Sequence, residues 1–394
     1  MPRSPGVAIV GYAAAPAVRH ADVGLGALTI DTALRAVADA GLTIDVIDGF
    51  ATAALFPSAG AHVIEDGRSV VTANWLATQL GADPAWVAGF QGYGQLPGSV
   101  ILATQALLAG SAEYVLLHRA LHNPVAQYSA NPMTEASGHA QWTAPQGVWG
   151  PIASMALTYN EYAERYGATR EALAAVVVEL RRNGAERPWS YWRHRPLATE
   201  DYMAARMIAE PLCLFDCDIP VDTAAAFVLT TSDRAADLPH RPVYVAGYAQ
   251  GFPSRQTLPG QWPLDDIAAG GERLAARLWS HSGLRRDEID LPMLYDGFSP
   301  YVYFWLEALG YCARGEAHEF VLDGGIDTAR GLPVALSGGS LGNGRMHGLP
   351  QMLDCYLQLA GRAGERQRHG VTTGLACHSS PHFGGAVAYT TQPR

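Results

Sequence analysis

The second half of this chain carries a small set of side chains suited to proton transfer or anion binding: Tyr295, Arg345, His347, His378 and Ser379. His347 closes the segment SGGSLGNGRMHG (Ser337 to Gly348). At the start of an expected helix, its imidazole could exchange a proton or donate a hydrogen bond near neutral pH. Arg345, two residues earlier, is a poor base and a better fixed hydrogen-bond donor. Tyr295 ends the apolar stretch Leu291 to Leu294, so it should project from a strand end, where sites in open α/β sheets gather. The competing reading is a core tyrosine with a satisfied hydroxyl. Asp296 would face elsewhere and reads as an orienting or structural residue. His378 and Ser379, within LACHSSPHFGG, either complete a pocket or belong to a polar turn.

Two glycine loops supply a different kind of group. Gln91 to Gly94, with Tyr93 and Gly94, and the Gly338-Gly339 pair each precede an expected helix. Backbone N–H groups at such positions suit an oxyanion or a phosphate. The alternative is that the glycines permit close packing. His118 with His122, and His378 with His382, have i,i+4 spacing, but neither pair lies in a clear helix and no acidic third ligand stands out, so no metal is expected.

Some chemistries are excluded outright. All 27 basic residues counted as Lys+Arg are arginines, so no side chain can form a Schiff base or serve a Walker-type phosphate loop. The cysteines (Cys213, Cys217, Cys312, Cys355, Cys377) are odd in number and scattered, which reads as free thiols in a reducing, cytoplasmic setting. A net charge of −10 disfavours nucleic acid and anionic lipid. No apolar run reaches the roughly 18 residues a membrane helix needs. The opening stretch weakly mimics a signal peptide, but VAIVGY (Val7 to Tyr12) reads better as a buried first strand.

The elements that must position these groups read as alternating strands and helices. Val7 to Tyr12 (strand), Leu28 to Ala40 (helix), Val100 to Ala109 (helix) and Tyr114 to Leu117 (strand) give an α/β pattern. Ala40-Gly41-Leu42 followed by Val46-Ile47-Asp48 recurs as Ser282-Gly283-Leu284 followed by Glu288-Ile289-Asp290, so the chain looks duplicated. His122 to Pro151 lacks periodicity and is expected to be functional. Arg170 to Arg182 reads as a helix, Ala224 to Thr230 as a buried strand, and Arg234 to Arg241 as the junction before Val243 to Tyr248.

LYDGFSP (Leu294 to Pro300), LEALGYCARGEAHEFV (Leu306 to Val321), SGGSLGNGRMHG, LQLAGRAGERQ (Leu357 to Gln367) and RMIAEPLCLFDCDIPVDTAAA (Arg206 to Ala226) together resemble the lipid-transfer-protein-like branch of the thiolase superfamily, over essentially the whole chain. The resemblance implies an α/β thiolase fold, a duplicated five-layered αβαβα architecture. Its halves would be residues 1–235, with an inserted region near 120–210, and 241–394. It places Tyr93 nearest the thiolase nucleophile, Arg345 at the Gly-His-Pro histidine, Tyr295 at the Asn-Glu-Ala-Phe asparagine, and His378, beside Cys377, near the second thiolase cysteine. No cysteine precedes Cys213, so the usual acyl-enzyme cannot form.

The expected activity is therefore retro-aldol cleavage of a β-hydroxyacyl-CoA, of the kind that shortens steroid side chains. Coenzyme A would enter as the substrate thioester, with no covalent cofactor. Tyr295 and His347 would share the proton transfers, Arg345 and His378 would complete the catalytic group, and Tyr93, Gly94, Gly338 and Gly339 would line the acyl-CoA site. A homodimer and a small OB-fold, zinc-ribbon partner are implied by the resemblance alone. A Claisen-type acyltransferase, using Cys377 or passing the acyl group directly to an acceptor, and a non-catalytic acyl-CoA or lipid carrier or scaffold subunit, remain open as alternatives.

Overall fold

The computed structural model describes residues 6–53, 65–90, 92, 95–123, 136, 138, 140–148, 150–253 and 262–393. Its strands are β1 (Val7–Ala14), β2 (Gly49–Thr52), β3 (Trp86–Gly89), β4 (Tyr114–Leu121), β5 (Met207–Ala209), β6 (Leu212–Cys213), β7 (Thr223–Thr231), β8 (Val243–Gln250), β9 (Leu291–Met293), β10 (Thr373–His378) and β11 (Gly385–Thr390). β5 and β6 pair with each other; the other strands join in the order β3-β2-β4-β7-β1-β8-β11-β10-β9.

The strand pairing follows one order of relations twice. In the first half β1 runs antiparallel to β7, β7 antiparallel to β4, and β4 parallel to β2. In the second half β8, β11, β10 and β9 repeat the same three relations. The halves meet along a thin seam, β1 against β8, at Ala8↔Tyr244 and Ile9↔Val243.

The repeated sequence motif has a physical role in each copy. The helices Leu25–Asp39 and Leu264–Ser282 are each followed by a glycine with positive φ, Gly41 at 72° and Gly283 at 65°. Glycine carries no Cβ penalty in that left-handed turn, which ends a helix cleanly. Each turn then leads to an aspartate that holds the start of the neighbouring parallel strand. Asp48 accepts from the amides of Glu113 and Tyr114 at 2.9 Å, and Asp290 from those of Thr372 and Thr373 at 2.7 and 3.1 Å.

The inner strands β4, β7, β10 and β11 are buried on both faces. β7 is buried along its whole length. The helices Gln95–Leu108 and Leu349–Leu359, which stand before β4 and β10 respectively, are equivalent by position and lie at the centre of the molecule. The first begins five residues before the expected Val100, because Gln95 to Ser99 already form its opening turn. Arg170–Ala185 extends three residues past the expected end. Most of His122 to Pro151 lies outside the described residues, although Ala140–Thr143 forms a short helix and Gly150–Tyr166 a long one.

Candidate active site

Tyr295 stands two residues beyond β9, and its ring packs on His378, the last residue of β10, with centroids 4.6 Å apart. Tyr301 lies on it at 5.5 Å. Its hydroxyl rests over Gly297, where a Cβ would come within 2.5 Å of the phenolic oxygen, so only glycine fits there. Burial, with further pressure from Asp218, Tyr301 and Asp296, holds the phenol well above its ordinary pKa. Tyr295 is therefore a neutral hydrogen-bond donor.

His347 sits in the turn that leads into Leu349–Leu359, with φ of 47°. Its Nε2 accepts from Arg345 Nε at 2.8 Å. Its Nδ1 lies 3.2 Å from Gln95 Oε1 and 2.9 Å from Arg119 Nη2. A neutral imidazole has one proton, so Nε2 as acceptor places that proton on Nδ1, from which it is donated to Gln95 Oε1. Arg119 Nη2 donates to the same oxygen at 3.0 Å. Burial, Arg345, Arg119 and His378 all push His347 well below its ordinary pKa. The ring is thus neutral at neutral pH, with Nε2 taken by Arg345 and Nδ1 by Gln95 and Arg119.

Arg345 is partly buried, and its backbone N–H donates to Ile219 O at 2.7 Å. Its Nη1 comes to 3.9 Å from Asp218 Oδ1. Burial and the neighbouring Arg119 lower Arg345 to about 9, so it still carries its charge at neutral pH. Arg119 is fully buried in β4 and donates from Nη1 to Ala53 O at 2.7 Å. Sequence reading overlooked Arg119 and Gln95. The signal for Arg119 was there: an arginine inside the apolar run YVLLHRAL is rarely buried without a task.

Gly338 and Gly339 do not form an open anion site. The amides of Ser340 and Leu341 already donate to the Asp296 carboxylate at 2.8 and 2.9 Å, and Gln351 Nε2 donates to it at 2.9 Å. A Cβ on Gly339 would lie 2.3 Å from that carboxylate, and one on Gly338 would strike Gly184 and the Leu180 carbonyl. These glycines permit close packing against the helix Arg170–Ala185. The structural reading of Asp296 holds. The turn that leads into Leu349–Leu359 is instead Gly344 to Gly348, six residues on, and it carries Arg345 and His347. Tyr93 and Gly94 lie outside the described residues, but Gln95, directly after them, faces His347. The starts of the two central helices thus meet.

Cys377 and His378 line a small cavity with Leu96, Pro97 and Gly348, between those helices. Burial holds the Cys377 thiol well above its ordinary pKa, which leaves it protonated and unreactive. His118 Nε2 donates to Val71 O, while His122 pairs with Asp222, so the two rings are committed separately. Ser379 has a positive φ of 63°, and its carbonyl accepts from Trp305 Nε1 at 2.8 Å. That describes a turn residue.

A thiolase C-terminal domain-like model matches residues 267–389. The chain is 31% identical over 364 residues to the 17-hydroxy-3-oxo-4-pregnene-20-carboxyl-CoA lyase of Mycobacterium tuberculosis, covering 90% of this chain and 91% of the relative. This chain belongs to the thiolase superfamily, in the branch of the steroid side-chain-cleaving aldolases and lyases. It is also 33% identical over 331 residues to the steroid side-chain-cleaving aldolase of Thermomonospora curvata, covering 82% of each chain. Among solved structures, the Ltp2-ChsH2(DUF35) aldolase superposes with a TM-score of 0.83 at 29% identity over 98% of both chains. Among the described residues no helix is long and apolar enough to cross a membrane.

Proposed function

We propose that this branch member cleaves the Cα–Cβ bond of a β-hydroxyacyl-CoA by a retro-aldol reaction, on a bulky acyl group of the steroid side-chain type. The observation that carries the reading is the meeting of Tyr295, His378, His347 and Arg345 beside buried Arg119, where the two halves join. Loss of the hydroxyl proton lets the C–C bond break, and the electron pair passes into the thioester, which serves as the sink. The enolate oxygen gains from the Arg345 cation, kept in place by neutral His347, while buried Arg119 adds positive field. Tyr295, a neutral phenol, donates the proton that the enolate carbon needs. His378 orients the phenol by ring contact. This route needs neither lysine nor a thiolate, and the buried thiol of Cys377 favours it over an acyl-enzyme.

The repeated strand pairing supports two thiolase-like halves, 1–235 and 241–394, layered as αβαβα. A homodimer and a small OB-fold, zinc-ribbon partner belong to the same reading, by likeness to the aldolase complex. Tyr93 and Gly94, next to Gln95, are assigned to the acyl-CoA side of the site.

The test is incubation with 17-hydroxy-3-oxo-4-pregnene-20-carboxyl-CoA and with simpler β-hydroxyacyl-CoA thioesters, with and without such a partner, and mass-spectrometric detection of products. Release of a ketone or aldehyde together with the shortened acyl-CoA is expected. Tight binding with no cleavage of any of them would select the carrier reading instead.

A further inference from the structure

The retro-aldol reading leaves one role open: the base that takes the hydroxyl proton. Around Tyr295 the obvious candidates are already committed. His347 is held neutral with Nε2 occupied by Arg345, and Tyr295 itself is a protonated phenol. Asp296 accepts three hydrogen bonds from Ser340, Leu341 and Gln351 and serves as a fixed cap.

Asp218 is different. It follows the turn Leu214–Asp216, where Cys217 bridges Phe298 and the Asp218 amide donates to Gly297 O at 3.3 Å. That bridge sets Asp218 beside the same Gly297 over which the Tyr295 hydroxyl rests. Its carboxylate is 5% exposed, so it is buried without being sealed. Among the described residues it accepts no hydrogen bond; its one charged neighbour of opposite sign is the Arg345 guanidinium, at 3.9 Å. A buried carboxylate left without donors is costly unless something else is meant to supply a proton or a hydroxyl.

We infer that Asp218 is the general base of the cleavage, taking the β-hydroxyl proton of the bound acyl-CoA. The inference rests on the retro-aldol reading above. The O–H electron pair becomes the new C=O bond, the Cα–Cβ bond breaks, and its pair forms the thioester enolate on the Arg345 side. Tyr295 protonates Cα, and the proton now on Asp218 passes to the Tyr295 phenolate, so both side chains return to their starting states with no net proton consumed. Burial and the Asp296 charge raise Asp218 well above the ordinary carboxylate range, which suits a base that must take a proton from an alcohol.

The experiment compares the unaltered protein with Asp218→Asn and Asp218→Glu, each with the same partner and the thioester that the unaltered protein cleaves. Asp218→Asn should lower kcat about 10²–10⁴-fold, with KM changed little, and Asp218→Glu should recover part of the loss. In D2O the unaltered enzyme should exchange the α-hydrogens of the product acyl-CoA, because Tyr295 can take an α-hydrogen once its own proton has passed to Asp218; Asp218→Asn should lose that exchange along with cleavage. Tyr295→Phe should lose exchange and cleavage together.

Should the Asn variant fail to fold, the pH profile of the unaltered enzyme carries the test. Among the described residues, the titratable and charged groups that act on Asp218 are Tyr295, Asp296, Arg345 and Cys217. The expected profile has an acid limb displaced above the ordinary carboxylate range; a flat profile across that range overturns the assignment. Cleavage by Asp218→Asn within about threefold of the unaltered enzyme overturns the role of Asp218 alone. No cleavage by the unaltered enzyme of any β-hydroxyacyl-CoA overturns both this role and the reaction.

Discussion

Replacing Arg119 by methionine removes a buried cation while keeping most of the side-chain volume. Arg119 gives hydrogen bonds to Ala53 O and Gln95 Oε1 and contacts His347 Nδ1. Gln95 Oε1 still receives His347 Nδ1–H in the variant, so the chief structural loss is the stranded Ala53 carbonyl, worth about 2 kcal/mol. For 394 residues the unfolding entropy is roughly 0.8 kcal/mol per kelvin, so the melting temperature should fall only about 2–3 °C. Activity should fall far more, about 10²-fold in kcat, because His347 and through it Arg345 lose a fixed neighbour. A purely structural role would not move the third readout, the His347 titration. Arg119 is one of the charges that depress it, so nuclear magnetic resonance of labelled histidine should show the His347 pKa rising in Arg119→Met. An unchanged His347 titration together with undiminished kcat refutes the reasoning.

Gly339→Ala forces a Cβ to 2.3 Å from the Asp296 carboxylate at a φ of 59°. The left-handed strain and the disrupted cap should together cost about 3 kcal/mol or more, seen as a lowered melting temperature; a variant that melts with the parent contradicts the packing role. Cys377→Ala should retain cleavage within about threefold, and native Cys377 should resist iodoacetamide in peptide mapping. Rapid alkylation there would revive the acyl-enzyme route. Burial pushes His118 down to about 4, so the unfolded chain binds a proton below pH 6.5 that the folded chain refuses until about pH 4. That residue thus contributes stability present near neutrality and lost as pH falls through this window, about 3 kcal/mol in full. Asp296 and Asp354, raised to about 7 and about 6, act in the opposite direction as pH falls. The test is therefore a difference: His118→Gln should lose less melting temperature than the parent between pH 7 and pH 5, and an equal loss in both counts against it.

The α/β order was legible because apolar periodicity and the Gly-Leu…Ile-Asp motifs report backbone geometry directly. Tyr295, Arg345, His347 and His378 were legible as a group because they sit at ends of elements, where polar residues stand out against apolar runs. What they do was harder to read. Two guanidinium groups fix the protonation of His347, and one of them, Arg119, comes from 228 residues away. No local pattern encodes that encounter. The Gly338-Gly339 pair misled for a related reason: glycine before a helix looks alike whether it cradles an anion or lets another helix approach. Only the aspartate that fills the turn, arriving from residue 296, distinguishes the two. Asp218 lies in the segment Arg206 to Ala226, where nothing in the local sequence tells it apart from Asp216, which is saturated by Tyr202, Ser299 and the Cys213 amide.

The aspartates that clasp strand starts, Asp48 and Asp290, each reach across a long stretch of chain, 65 residues in one half and 82 in the other. Neither clasp borrows anything from the opposite half, and every strand of the first sheet portion is synthesised by Thr231. As the polypeptide leaves the ribosome, the amino-terminal half can therefore zip up while the remainder is still being translated. What waits for the later strands is the candidate site, since its charges are drawn from both sides of the seam: Arg119 must already be in place when Arg345 and His347 arrive.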